Sequence, residues 1–280
     1  MLKARIRNFL GRRLGFYKSF VPDGFSAINQ RLPEDVFIVA YPKSGVTWFQ
    51  NLVCGLAYGL DSGMSPPWLV NDLVPDIHIT RFYRRYATPM YFKSHCLPRP
   101  EYRRVVYLLR DGRDVMVSFK HYEETLKRKT LDFLQFVTCE ESLFPCKWHR
   151  HVEEWSKNPF KAEMLVIKYE DLLEQPVPQL ERFCEFVNLS RKRDEISEIV
   201  EEAQFQHLHD KEDKFRCDRL EKWPAGKFFF RRGVVGSHKD EMPPEVLQAF
   251  LSDASETLRR HGYPVGTAVP AGVAMAAAGR

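Results

Sequence analysis

The stretch Val36-Phe37-Ile38-Val39-Ala40-Tyr41-Pro42-Lys43-Ser44-Gly45-Val46-Thr47-Trp48 changes character at Tyr41. Val36 to Ala40 is an unbroken apolar, β-rich run, the pattern of a strand buried on both faces of a parallel sheet. Phe49 to Leu60 then has apolar content compatible with a helix. The turn between them presents successive backbone N–H groups to an anion, and the helix dipole adds to the attraction. Gly45 allows close backbone approach and Lys43 supplies a mobile charge. The nucleotide-triphosphate loop G-x-x-x-x-G-K-[ST] is absent, because the lysine precedes the glycine and no second glycine stands five residues earlier. Turns of this composition also serve as plain connections, so both roles stay open at this point.

Outward from this turn, Tyr91 and Phe92, Val105 to Leu109, and Leu165 to Ile167 read as further buried strands. They alternate with amphipathic helices. One carries Trp148, His151, Val152 and Trp155 on a stripe, one Leu180, Phe183, Cys184 and Val187, and one runs from Pro244 to His261, closed by Gly262 and Pro264. The alternation implies an α/β fold: a single domain with a central parallel sheet flanked by helices, carrying a P-loop-like strand-loop-helix phosphate site. A length of 280 residues suffices for one large core, and no internal repeat or linker divides it. The domain is expected over residues 21–264. Residues 265–280, rich in Ala, Gly, Val and Pro, read as a disordered tail.

Composition (44% apolar, 28% charged) is that of a soluble globular protein, and a net charge of +5 with interleaved acids does not demand a nucleic-acid partner. The six cysteines form no C-x-x-C pair, which argues against zinc fingers and a disulfide scaffold and for a cytoplasmic setting. No apolar run spans a membrane and no secretory signal opens the chain, so the Asn188-Leu189-Ser190 sequon reads as chance. Residues 1–20 place Lys3, Arg5, Arg7, Arg12, Arg13 and Lys18 beside an apolar face of Leu2, Ile6, Phe9 and Leu10. Contact with an anionic membrane surface and packing on the domain edge both suit that pattern.

Three further segments carry chemistry. Val105 to Leu109 ends in Arg110, at the strand end where ligands of open parallel sheets gather, with Ser118 on the following helix able to donate a hydroxyl bond. The alternative pairs Arg110 with Asp111 or Asp114. Tyr91-Phe92 delivers Lys93-Ser94-His95 to the same edge, where His95 suits a general base and Lys93 the stabilisation of developing negative charge; a structural loop histidine is the alternative. Phe229-Phe230-Arg231-Arg232-Gly233-Val234-Val235-Gly236 sets two guanidiniums beside two glycines, as an anion clamp or a solvated pair.

Together and in this order, these segments resemble the cytosolic-type sulfotransferases that use 3′-phosphoadenosine-5′-phosphosulfate (PAPS). The likeness covers roughly Phe37 to Lys239. Tyr41 to Trp48 is similar to the family's 5′-phosphosulfate loop Y-P-K-[SA]-G-T-T-W, which implies donor contacts from Lys43, Ser44, Gly45, Val46, Thr47 and Trp48. Arg110 and Ser118 match its 3′-phosphate motif at the same interval. Lys93-Ser94-His95 is similar to K-[TS]-H, whose histidine is the family's catalytic base, and Phe229 to Gly236 to F-x-R-K-G-x-x-G, which brings in Phe229, Arg231, Arg232 and Gly233. Tyr169 matches an adenine-contacting tyrosine, and Phe205 an aromatic that stacks on adenine opposite Trp48. The resemblance implies sulfuryl transfer from PAPS to a hydroxyl or amine of a small molecule, leaving 3′-phosphoadenosine-5′-phosphate (PAP) and needing no metal. His95 would take the proton, and Lys43 and Lys93 would meet the charge.

The chain departs from the pattern at Val46, a threonine in the family, and at His238, usually tryptophan. The segment after Lys239 lacks the family's dimer motif, so no oligomeric state is implied. Two other readings stay in play. A P-loop-like small-molecule kinase would require Mg²⁺, and a non-catalytic nucleotide- or RNA-binding module would use Arg84, Arg85, Arg103, Arg104, Lys127, Arg128 and Lys129.

Overall fold

The computed structural model of the protein describes residues 21–127, 130–214, 229–230 and 232–265. The expectations for residues 1–20 and 266–280, and for Arg128, Lys129 and Arg231, lie outside these. Strands β1 (Ser26–Ala27), β2 (Val36–Ala40), β3 (Phe82–Tyr83), β4 (Tyr91–Ser94), β5 (Arg104–Leu109) and β6 (Glu163–Lys168) alternate with helices. The helices are α1 (Val46–Tyr58), α2 (Pro67–Leu73), α3 (Gly112–Lys127), α4 (Phe133–Thr138), α5 (Trp148–Lys157), α6 (Tyr169–Glu174), α7 (Pro176–Phe186), α8 (Arg193–Glu202), α9 (Phe205–Lys214), α10 (His238–Glu241) and α11 (Pro244–Arg260).

The central sheet is wholly parallel, in the order β4-β2-β5-β6, while β1 and β3 form a small antiparallel ribbon. All four strands expected from apolar runs are present, each within two residues of its expected start. The side-chain period of two divides the core. Phe37, Val39, Tyr41, Val105, Tyr107 and Leu109 join one cluster with Val115, Trp148, Trp155 and Phe250. Val36, Ile38, Ala40, Val106 and Leu108 join the other with Phe49, Leu52 and Phe183. Burying each such side chain stabilises by roughly 1.5–3 kcal/mol, which accounts for the unbroken apolar run of β2.

The helix after β2 covers one face and the helix after β5 the other, because the chain moves from β2 outward to β4 and from β5 outward to β6. The sheet therefore has its switch point between β2 and β5, the place where a crevice opens at the strand ends. Register places the chemistry there. Val39 lies opposite Ser94 and Ala40 opposite Leu108, so His95, the Tyr41–Gly45 turn and Arg110 leave the sheet at one edge.

The expected stripe Trp148, His151, Val152, Trp155 is entirely buried on α5. Helix α11 ends with Gly262 N–H donating to Arg259 (3.0 Å) and Tyr263 N–H to Leu258 (2.9 Å), satisfying its last carbonyls. The segments 66–89 and 131–146, which lie between the main elements, hold short helices. Proline in its first turn starts α2, and the Asp132 carboxylate caps α4 by accepting from Gln135 N–H at 2.9 Å.

Gly112 is where α3, α5 and α11 meet. A Cβ there would stand 2.4 Å from Trp148 Cδ2 and 2.7 Å from Phe250 Cζ. Gly112→Ala is expected to destabilise the fold by about 1–3 kcal/mol through overpacking. The check is the urea midpoint at unchanged slope; an unchanged midpoint would mean that this three-helix contact does not constrain the core.

Candidate active site

The turn after β2 curls through two left-handed residues, Lys43 (φ 69°) and Gly45 (φ 88°), on either side of the buried Ser44. Backbone curled in this way gathers N–H groups into an anion-binding concavity. Gly45 is required twice over: an L side chain is strained at that φ, and a Cβ would stand 2.5 Å from Tyr169 Cδ2. Helix α1 begins at Gly45 with no side-chain cap and no acidic residue in its first turn. Its N-terminal N–H groups and dipole are thus available to an anion. Ser44 Oγ is buried without a hydrogen-bond partner. Lys43 Nζ lies 3.8 Å from the Phe229 ring centroid and 4.5 Å from that of Tyr122. Two aromatic faces thus position the ammonium.

Arg110, only 9% exposed, donates to the carbonyls of Lys43 and Val234, both at 3.1 Å, and lies over the Tyr169 ring at 4.3 Å. Among the described residues its Nε has no hydrogen-bond partner. The carboxylates that sequence offered it are engaged elsewhere. Asp111 makes a bidentate pair with Arg113 (2.9 and 2.6 Å), and Asp114 accepts from the backbone of Gly236 and His238 and from His238 Nδ1. Burial would lift the Asp114 carboxyl, but these hydrogen bonds outweigh it and hold it below its ordinary range. Among the described residues no carboxylate lies within ion-pair distance of Arg110.

The late segment is thereby pinned over Arg110 from several sides. Phe229 and Phe230 N–H groups donate to Glu212 (2.8 and 3.2 Å). Phe205 packs so closely on Gly233 (φ 60°) that a Cβ would stand 2.7 Å away. Arg232 Nη1 is half-exposed and paired with Glu241 at 2.8 Å, and here it braces the segment. His238 is held by Asp114.

The remaining donor-side expectations fall into two groups. Trp48 Nε1 donates to Ala203 O (3.0 Å), two residues before Phe205, and its ring meets Tyr169 edge-on at 5.9 Å. Trp48, Tyr169, Gly45 and Arg110 thus form one contiguous unit. Ser118 lies partly buried on the second turn of α3, the Thr47 main-chain carbonyl accepts from the Asn51 side-chain amide one turn on (2.7 Å), and Val46 packs in the apolar core.

On the acceptor side, the ring of His95 is tied by Nδ1 to the carbonyl of Ala40 (2.7 Å). A carbonyl only accepts, so Nδ1 carries the hydrogen and Nε2 keeps a lone pair. Burial, then the charge of Lys93, push the imidazole down to about 3, so it is neutral at neutral pH. Lys93 is itself buried, 3.2 Å from the Asp76 carboxylate. Sequence reasoning missed Asp76, His78, Tyr122 and Glu212, which lie on a loop or on helices without a motif; spacing carries no signal for them.

The basic residues that suggested a nucleic-acid surface are largely engaged. Arg85 forms a bidentate pair with Asp35 (2.9 and 2.7 Å), Arg104 pairs with Glu163 (3.0 Å) and Lys127 with Glu123 (2.7 Å). Among the described residues no helix is long and apolar enough to cross a membrane.

Comparison with known proteins places this arrangement. The sulfotransferase-domain family profile matches residues 33–262. The chain is 27% identical over 250 residues to the 3-beta-hydroxysteroid sulfotransferase of Cavia porcellus, covering 82% of this chain and 85% of that one. It is 26% identical over 284 residues to cytosolic sulfotransferase 11 of Arabidopsis thaliana, covering 87% and 80%. Retinol dehydratase in complex with androsterone and the inactive cofactor PAP superposes with a TM-score of 0.64 at 20% identity, covering 86% and 85%. From cradle to sheet order, the chain belongs to the sulfotransferase family.

Proposed function

We propose that the protein transfers the sulfuryl group of PAPS to a hydroxyl or amine of a small apolar molecule, with both phosphate-bearing ends of the donor held by the cradles at Lys43 and Arg110. The observation that carries this reading is Arg110: a buried guanidinium solvated by two carbonyls and an aromatic face, with no carboxylate of the described residues at ion-pair distance. Leaving a charge buried in this way costs several kcal/mol, and an anion relieves it. The partnerless Ser44 Oγ and Arg110 Nε, and the close approaches at Gly45 and Gly233, fit a phosphate-bearing ligand. A donor with anions at two distant positions needs two such places; a plain adenylate needs one. The kinase reading therefore has less support.

In the proposed step, His95 Nε2 takes the acceptor's proton as the acceptor oxygen or nitrogen forms its bond to sulfur. The bond from sulfur to the 5′-phosphate oxygen breaks, and PAP leaves with that electron pair. Lys43 and Lys93 meet the negative charge that builds on the transferred group and the leaving phosphate, and Ser44 and the α1 N-terminus add hydrogen bonds. Trp48, Tyr169 and Phe205 offer flat faces for adenine. The acceptor mouth is bordered by the half-exposed Phe144 and by His78, whose rings meet edge-on at 5.3 Å, which supports an apolar acceptor. The five described cysteines are free thiols, in keeping with the cytoplasmic setting proposed.

Three measurements test this. Calorimetry should show tighter binding of PAP than AMP, with Arg110→Ala erasing about 1.5–3 kcal/mol of the preference; equal affinities in the wild type would refute the second cradle. In a transfer screen with labelled PAPS, activity should persist in excess EDTA because fixed cations meet the charge. Loss restored by Mg²⁺ would favour a kinase-like site. His95→Ala should abolish transfer to an alcohol, by roughly 10²–10⁴-fold, while PAP affinity stays within about twofold; Lys43→Ala should weaken both. Near wild-type turnover of His95→Ala on an alcohol would mean that another group removes the proton.

A further inference from the structure

The loop from Pro75 to His78 runs beside the outer edge of β4, and its contacts converge on the two β4 residues with proposed roles. Lys93 N–H donates to Pro75 O (2.9 Å) and Ile77 N–H to Lys93 O (3.1 Å), which fixes the loop's register against the strand. The Asp76 carboxylate, 4% exposed, uses both oxygens: Oδ2 lies 3.2 Å from Lys93 Nζ, and Oδ1 accepts from His78 N–H at 2.9 Å. His78 Nε2 in turn accepts the backbone N–H of His95 at 2.9 Å, and the two imidazoles stack at 5.5 Å with a 20° tilt.

We propose that the Asp76–His78 turn is a positioning element for sulfuryl transfer, in which Asp76 fixes the ammonium of Lys93 and His78 fixes the main chain and ring plane of His95. The inference rests on the reading of His95 as base and Lys93 as charge-stabilising residue. Each link is directional. The His95 ring has Nδ1 bound to Ala40 O, its main-chain N–H bound to His78, and the His78 ring against it, so rotation of Nε2 away from the acceptor would break one of these contacts. The groups that act on His95 electrostatically are Lys93 and Asp76 beneath it, His78 beside it, and the fully buried His151 of α5 behind it. Asp76 is the one anion of the four. Its charge favours the imidazolium that forms as the acceptor's proton arrives, against the opposing effect of Lys93 and His78. Burial would lift the Asp76 carboxyl, but Lys93 and the His78 N–H bring it below its ordinary range, so Asp76 is charged at neutral pH.

The turn should therefore matter in proportion to how much the acceptor needs a base. An alcohol keeps its proton until His95 takes it, whereas an acidic phenol such as 4-nitrophenol loses it with little help. The experiment compares wild type, His78→Ala, His78→Gln and Asp76→Asn as full chains, with His95→Ala as the reference. PAP affinity is measured by calorimetry, turnover on an alcohol acceptor and on 4-nitrophenol with PAPS, and the His95 ring by ¹⁵N NMR without ligand. His78 is exposed, so its variants are expected to fold even if Asp76→Asn does not.

The expected result for His78→Ala and Asp76→Asn is PAP affinity within about twofold of wild type and kcat on the alcohol lowered by about 10-fold or more, with a much smaller loss on the phenol. In His78→Ala the His95 resonance should rise in pKa, since the ring that covers it is removed; His78→Gln, which keeps an acceptor for the His95 N–H, should restore part of the alcohol rate. Equal losses on both acceptors, or an unchanged His95 resonance and alcohol rate in His78→Ala, would overturn the proposal. If His95→Ala itself keeps the alcohol rate, the underlying assignment of the base fails instead. The NMR arm judges the positioning even if no alcohol acceptor is found.

Discussion

The buried charge of Arg110 is the constraint around which the donor side is arranged. Its two terminal nitrogens take carbonyls from Lys43 and from Val234, residues far apart in sequence, and its flat face rests on Tyr169 of a third segment. Carbonyl dipoles and an aromatic face solvate a cation only in part. The neighbouring aspartates could have completed the job, but each has a stronger claim on it: Arg113 takes Asp111 in fork geometry, and His238 with two backbone N–H groups takes Asp114. Those same bonds hold the Gly233–His238 segment against the start of α3. The arrangement that keeps Asp111 and Asp114 from Arg110 is therefore also the one that gives it walls.

On the acceptor side, sheet register does comparable work. Pairing of β2 with β4 runs to Val39 and Ser94, and the next carbonyl on β2, that of Ala40, meets the ring of His95. The strand that opens into the proposed phosphate cradle thus also selects the tautomer of the proposed base. A one-residue slip would place Ala40 O elsewhere and exchange the side chains that β2 gives to the two core clusters, so the packing that sets the register sets the tautomer as well.

Much of this was legible beforehand because the signals are local. Unbroken apolar runs mark the four parallel strands, and residues directly after those runs, Lys43, His95 and Arg110, must emerge at one edge of a parallel sheet. The choice between Arg110 as anion ligand and Arg110 as partner of Asp111 or Asp114 could not be made from sequence, since it turns on which basic group reaches each aspartate, across 124 residues in the case of His238. Arg232 was picked out by its neighbours in sequence, whereas its pairing with Glu241 on the adjoining helix had no local signal. Asp76 and His78 were invisible for a related reason: their loop has no periodicity, and only a single parallel bridge to Lys93 brings it alongside β4.

The departures from the family pattern become intelligible on the same terms. Val46 lies 4% exposed among Phe49, Leu52 and Phe183, so its methyl groups complete an apolar cluster where the family carries a hydroxyl. The lost contact is a hydrogen bond worth about 0.5–1.5 kcal/mol net, and deeper burial of the methyl groups recovers part of that in stability. Bonds from ionised donors are worth about 1.5–3 kcal/mol, so Lys43 and Arg110 outweigh one hydroxyl in any grip on phosphate. His238 follows the opposite logic. In place of a large apolar ring it brings a nitrogen that must be satisfied when buried, and Asp114 at 2.6 Å satisfies it. The exchange at 46 trades polarity for packing inside the core, and the exchange at 238 trades packing for polarity beside Arg110; the second ties up an aspartate that would otherwise be free to pair with the guanidinium.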